Sequence, residues 1–117
     1  MAVTVLIVDD HSGFRSFARA VLEAEGFDVV GEAEDAESAL AAVGRLQPQV
    51  VLLDIQLPDI DGFEVAERLS GKPHSPAVVL VSTRDISSYR RRLVGSSALG
   101  FIPKDELSGS ALLELVG

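Results

Sequence analysis

Asp54 closes the apolar run Gln49-Val-Val-Leu-Leu53 and opens Asp54-Ile-Gln-Leu-Pro58. A second apolar run, Val3-Thr-Val-Leu-Ile-Val8, ends in the same way, in Asp9-Asp10. Ser82 follows Ala77-Val-Val-Leu-Val81, and Lys104 follows Leu99-Gly-Phe-Ile-Pro103. Three carboxylates, a hydroxyl and an ammonium group, each at the end of an apolar run, can bind Mg²⁺ and carry out phosphoryl transfer to a carboxylate. Mg²⁺ takes oxygen ligands, keeps several waters and uses one or two carboxylates. Asp10 and Asp54 fit direct ligation, Asp9 fits ligation directly or through water, and the backbone carbonyl of Gln56 supplies a further oxygen. A carboxylate is also a competent nucleophile toward phosphorus. The phosphoryl group would bring charge to an already acidic place, which the metal and Lys104 would offset. Ser82 can donate a hydrogen bond to a phosphoryl oxygen.

Taken singly, these residues have plainer readings. An Asp pair after a strand is commonly a turn and a helix cap. Asp54 ahead of Leu57-Pro58 could be a turn residue, and Ser82 and Lys104 could be solvated. Their coincidence at matching positions is what favours a site.

Such a coincidence needs elements that bring the run ends together. Strands are expected at 3–8, 27–34, 49–53, 77–81 and 99–102. Helices are expected at 12–25, 36–46, 61–69, 85–94 and 108–116. Ser12 is the expected N-cap of the first helix, Gly26 its stop, and Asp35 the cap of the second. The fourth helix is polar, with few apolar anchors in Ile86, Tyr89 and Leu93. Residues 70–76 form a loop. Continuous apolar strands alternating with helices imply a doubly wound parallel α/β sheet with right-handed crossovers. Ligands of such sheets sit beyond the carboxyl ends of the strands.

The chain has 117 residues, which argues for one domain spanning 1–117. It has no Cys, so disulfide and thiolate chemistry are excluded. No signal-peptide pattern or membrane-length apolar run is present, and the chain is expected to be soluble and cytoplasmic, away from membranes. The net charge of −8 argues against direct nucleic-acid binding.

Four segments carry a family resemblance: Val5-Leu-Ile-Val-Asp-Asp-His11, Val51-Leu-Leu-Asp-Ile-Gln-Leu-Pro-Asp-Ile-Asp-Gly62, Val79-Leu-Val-Ser82 and Gly100-Phe-Ile-Pro-Lys104. Together they resemble the signature of response-regulator receiver domains of two-component signalling. The resemblance implies a five-stranded, flavodoxin-like sheet of order 2-1-3-4-5 with five helices. It implies a signalling domain and not an enzyme in the ordinary sense, since it would catalyse only its own phosphorylation and dephosphorylation. Asp54 would be the phosphoacceptor, served by a sensor histidine kinase or a phosphotransfer protein, with Asp9 and Asp10 as the acidic pair. Ser82 and Phe101 would be the switch pair, changing a face built from the fourth helix, fifth strand and fifth helix. Gln56 and Arg84, each two positions beyond Asp54 and Ser82, would tune dephosphorylation.

Asp-Asp-His11, Val30-Gly-Glu-Ala33 and Lys104-Asp105 resemble the subfamily joined to a LuxR-type helix-turn-helix. The sequence as given ends at Gly117, so it is a stand-alone receiver or part of a longer protein, with its output partner or effector domain unknown. Leu57, Thr83, Ser97 and Asp105 depart from the usual pattern and put the ends of the fourth helix in question. His11 could be a metal ligand or phosphodonor but is expected to be a surface residue at a helix start. Phe14 and Phe17 are expected in the core, His74 in solvent, and Arg90–Arg92 at the edge of a partner surface or on a solvated helix face.

Three other readings use similar residues. A haloacid-dehalogenase-type phosphohydrolase needs an acid two residues after its nucleophile, where Gln56 stands. A flavin carrier needs a phosphate loop where Asp9-Asp10 would repel phosphate. A receiver-like module regulated without phosphorylation would have no use for the intact set.

Overall fold

The computed structural model describes residues 2–72 and 74–117. Met1, and Pro73 within the expected loop, lie outside the described residues. The chain alternates strand and helix: β1 (Thr4–Val8), α1 (Ser12–Ala24), β2 (Asp28–Ala33), α2 (Ala36–Leu46), β3 (Val50–Asp54), α3 (Gly62–Ser70), β4 (Ala77–Ser82), α4 (Arg90–Val94), β5 (Gly100–Pro103) and α5 (Gly109–Val116). Short 3₁₀ turns precede α4 at Ile86–Ser88 and follow β5 at Lys104–Glu106. All strand pairs are parallel, in the order β2-β1-β3-β4-β5.

The apolar runs are continuous because helices cover both faces of the sheet. Successive strand residues point to opposite faces. Leu6, Val8, Val51, Leu53, Val78 and Leu80 pack on one side with Ala39, Val43, Phe63, Val65 and Leu69 of α2 and α3. Val5, Ile7, Val50, Leu52, Val79 and Val81 pack on the other with Ala18, Leu22 and Leu112 of α1 and α5. Strand β2 alternates less cleanly because its pairing with β1 slips between Val5 and Leu6, which oppose Val29 and Gly31.

The helix ends are set by specific groups. Gly26, at φ 92°, turns the chain after α1 in a conformation that costs other residues a steric penalty. Asp35 caps α2 in a reciprocal box with Ser38. Asp59, far away in the β3–α3 loop, adds a second cap by accepting from the Ala36 and Glu37 amides at 2.9 and 3.1 Å. These amides hold its carboxyl below the ordinary carboxylate range, the Ala36 bond most strongly. Asp61 caps α3 through the Glu64 amide.

Three expectations are corrected. The N-cap position of α1 is His11 and not Ser12, because the His11 amide donates to Asp9 Oδ1 at 2.8 Å and keeps His11 extended. Phe17 is exposed, at the edge of the α1 apolar stripe beside Phe14. The fourth helix is not continuous over 85–94. Asp85 caps a 3₁₀ turn through the Ser87 amide, and only five α-helical residues follow before Gly95. Ser87-Ser88 favours local turns over helix. Ser97 instead anchors the α4–β5 loop, donating through its amide and hydroxyl to Glu67 Oε1 at 2.8 and 2.7 Å.

Candidate functional site

Asp9 directly follows β1, and Asp54 and Ser82 are the last residues of β3 and β4. Asp54 stands opposite Val81 in the ladder, and Ser82 opposite Pro103, so Lys104 emerges beside them. The parallel register thus delivers residues from four separate segments to one edge. Asp9, Asp54 and Ser82 are buried, at 0, 2 and 0% exposure. Asp10 faces outward from the same turn.

Lys104 Nζ lies 2.6 Å from Asp9 Oδ2 and 3.5 Å from Asp54 Oδ2. It also sits 4.7 Å above the Phe14 ring, which confines it from the outer side. The Asp9 contact is an ion pair not aligned as a hydrogen bond, so Asp9 Oδ2 has no directed donor among the described residues despite its burial. Asp54 Oδ1 accepts from the Gln56 amide at 3.1 Å, which leaves Oδ2 the less tethered oxygen. Burial raises the Asp54 carboxyl above its ordinary value. The Gln56 amide and Lys104 oppose this, while the charges of Asp9 and Asp10 reinforce it.

Asp9, Asp10, His11 and Asp54 each offer one ligand atom within a sphere where no two are more than 4.8 Å apart. The donors are mostly carboxylate oxygens, the set a hard divalent ion requires. Together with the undirected charge of Asp9 Oδ2, this donor chemistry fits Mg²⁺.

The turn beyond β3 is packed tightly. A methyl group on Gly62 would come within 2.5 Å of the Asp54 carbonyl oxygen, and the Gly62 amide donates to Ile55 O at 2.8 Å. On the other side, Arg15 of α1 donates to the Asp9 carbonyl at 2.6 Å and to Glu32 of β2. Glu32 is held below the ordinary carboxylate range, chiefly by its hydrogen bond from Arg19. Thus Asp9 has its backbone fixed from α1 while its side chain faces Lys104.

A cleft of about 500 Å³ opens above the site. It is lined by His11, Phe14, Phe17, Asp54, Gln56, Thr83, Lys104 and Asp105. Gln56 therefore borders the cleft, while Arg84 does not line it. Arg84 approaches only through its amide, which donates to Ser82 Oγ at 3.0 Å. Thr83 lines the cleft beside Ser82, a position that only its adjacency to Ser82 could have signalled. Phe101 is half-buried and lies 6.3 Å from the Tyr89 ring, which lies 5.9 Å from Phe63. Arg92 is engaged within the chain. It pairs with Asp61 Oδ2 at 2.6 Å and covers Phe63 at 4.4 Å.

A parallel 2-1-3-4-5 sheet with acids at the ends of its two central strands defines a class before any relative is considered. Residues 5–116 match the response regulator receiver domain family, and the chain belongs to it. It is 37% identical over 102 residues to the transcription regulator BvgA of Bordetella pertussis, covering 87% of this chain and 49% of that protein. It is 33% identical over 115 residues to the transcriptional regulatory protein DegU of Brevibacillus brevis, covering 97% and 48%. The chain thus spans about half the length of these curated relatives. Its fold is similar to the signal receiver domain of the response regulator NarL from Mycobacterium tuberculosis, at a TM-score of 0.88 and 32% identity, covering 97% of this chain and 94% of that one. The protein is accordingly a signalling module of two-component systems. Among its described residues, no helix is long and apolar enough to cross a membrane.

Proposed function

We propose that residues 1–117 act as one cytoplasmic phosphoacceptor domain. Asp54 accepts a phosphoryl group from the phosphohistidine of a sensor kinase or phosphotransfer protein. The carrying observation is the burial of Asp54 between Asp9 and Lys104 at the carboxyl end of the central strand. An oxygen of Asp54 attacks phosphorus as the P–N bond breaks, and the departing imidazole takes up a proton. Asp9, Asp10, Asp54 and the Gln56 carbonyl would hold Mg²⁺, which supplies neutralising charge to the phosphoryl oxygens. Lys104 moves its charge from Asp9 toward those oxygens, and Ser82 turns its hydroxyl to donate to one of them. Water later attacks phosphorus and restores the carboxylate, with Gln56 and Thr83 beside its path. Arg84 reaches that path only if its side chain folds over the cleft.

Turning Ser82 inward would leave space for Phe101, and the Phe63–Tyr89–Phe101 row couples that movement to α4. The output face is therefore α4, β5 and α5, acting on a partner or on a LuxR-type DNA-binding domain elsewhere in a longer protein. The chain itself, at net charge −8, does not bind DNA directly.

The test is incubation with acetyl phosphate and Mg²⁺, followed by borohydride reduction and peptide mass spectrometry. Label is expected on Asp54 and lost in Asp54→Asn. Native-rate labelling of Asp54→Asn would sink the assignment. For the output face, beryllofluoride should shift backbone resonances from Arg84 to Lys104. Shifts confined to the surroundings of Asp54 would remove the proposed switch.

A further inference from the structure

His11 is exposed over 71% of its side chain and occupies a helix N-cap position without making a side-chain cap. A histidine so free of packing would ordinarily point into water. Its ring instead turns back over the acidic edge, with Nδ1 3.1 Å from Asp9 Oδ1 and 3.1 Å from Asp10 Oδ1. The backbone beneath it is fixed at three points. Its amide donates to Asp9 Oδ1 at 2.8 Å, its carbonyl accepts from the Arg15 amide at 3.2 Å, and the Arg15 guanidinium holds the Asp9 carbonyl at 2.6 Å. The ring therefore needs only its own two torsions to stay where it is.

We infer that His11 is a ligand of the divalent-ion site when it holds a first-row transition ion of the Mn²⁺ to Zn²⁺ class, and that it strengthens the hold on such ions. The inference rests on the reading of the acidic edge as a divalent-ion site. It extends that reading from oxygen ligands alone to a mixed nitrogen and oxygen set. Metal–nitrogen and metal–oxygen bonds of about 2.0–2.2 Å place neighbouring donors of one ion roughly 3 Å apart when they meet near a right angle. The two 3.1 Å separations at Nδ1 match that spacing, and Asp54 completes a group lying within 4.8 Å. A hard ion such as Mg²⁺ gains little from imidazole, whereas transition ions bind it well. Ligation uses the Nδ1 lone pair and leaves the ring proton on Nε2. Three successive residues, Asp9, Asp10 and His11, then supply donors from one turn whose backbone is already ordered.

A protonated imidazole held between two carboxylates would give the same resting geometry, so ion dependence must decide. The native chain, His11→Ala, His11→Gln and Asp10→Ala are titrated separately with Co²⁺ and with Mg²⁺ by calorimetry. The His11 ring resonances are followed by NMR in the Co²⁺ series. His11 lies on the surface, so neither substitution opens the core. Loss of the imidazole should weaken Co²⁺ binding about tenfold in both His11 variants while Mg²⁺ binding changes less than about twofold. The native ring should show large Co²⁺-induced contact shifts, and Asp10→Ala should weaken both ions. Transition ions bind most sites more tightly than Mg²⁺, so the readout is the dependence on His11 and not the ratio of the two ions. Equal Co²⁺ affinity in native and His11 variants, without contact shifts, overturns the inference and leaves the Mg²⁺ site standing. A native chain that binds neither ion overturns the divalent-ion reading, and this inference with it.

Discussion

The acidic edge and the segment from Asp85 to Ser97, which leaves β4 three residues after Ser82, are held very differently. Asp9, Asp54 and Ser82 are carried by strands whose residues are buried on both faces. Their backbone is paired on both sides, and Gly62 packs against the Asp54 carbonyl with no room for a methyl group. The α4 segment has one buried side chain, Tyr89, and ends in Val94, which is 84% exposed. Leu93 packs only partly buried against the core, and the polar restraints include the Arg92–Asp61 pair and the Ser97–Glu67 bonds at the surface, with Arg92 also covering the Phe63 ring. On the function proposed above, the difference separates two duties. Chemistry needs groups held within fractions of an ångström, which buried strands provide. A responsive element needs alternative positions close in energy, which sparse contacts provide.

Two glycines give the sharpest test of that contrast. Gly62→Ala would force Cβ against the Asp54 backbone and should cost about 3 kcal/mol, read as a lowered urea midpoint. Gly95→Ala meets nothing nearer than 3.9 Å at an ordinary φ of −88°. It should gain about 0.5 kcal/mol by restricting the unfolded chain. Similar costs at both positions would erase the distinction between the two regions.

The Arg92 tether should matter less for stability than for local order. Arg92→Ala should lower global stability by under about 1 kcal/mol, since both partners are about half exposed and screened by solvent. It should nonetheless speed amide hydrogen exchange across Arg90–Val94 while leaving β1 and β3 unchanged. Equal acceleration in β3 would mean that α4 is not an independently mobile unit.

The smallest expected effect is its pH dependence. Burial pushes the Asp61 carboxyl up, but the Arg92 hydrogen bond, the Glu64 amide, the Arg92 charge and the Phe63 amide together outweigh it and hold it below the ordinary carboxylate range. A carboxyl depressed in the fold contributes stability above its unfolded value, and that contribution is lost as pH falls through the folded value. The native chain should therefore lose slightly more stability than Asp61→Asn as pH falls below the ordinary carboxylate range. Parallel pH profiles for the two would show that the pair contributes nothing.

Legibility in the sequence follows the same division. The strands were readable because burial on both faces leaves unbroken runs such as Val50 to Leu53, and the acids stand out where those runs stop. Asp35 and Gly26 were readable because a cap or a left-handed turn has a local chemical signature. Asp59 capping α2 and Asp61 holding Arg92 were not, because each joins residues more than twenty positions apart through a surface bond with no periodic trace. Ser12 was misplaced by one position because the Asp9 side chain, and not a cap, starts α1. Phe17 was misplaced because helical spacing does not say which edge of an apolar stripe reaches the core.

The strand order also bears on how the molecule is built. Strand β1 pairs with β2 and β3, so both of its pairings are complete by Asp54, and β4 and β5 each then add beside the strand that precedes them in sequence. Every pairing spans at most one intervening strand and two helices, which keeps loop-closure costs low and lets the sheet grow in the direction of synthesis. On that route the three carboxylates meet first, in a half-built sheet without their lysine. Their mutual repulsion is borne by the nascent chain until β5 docks, so formation of the last and shortest strand is also the step that brings Lys104 to offset part of their charge.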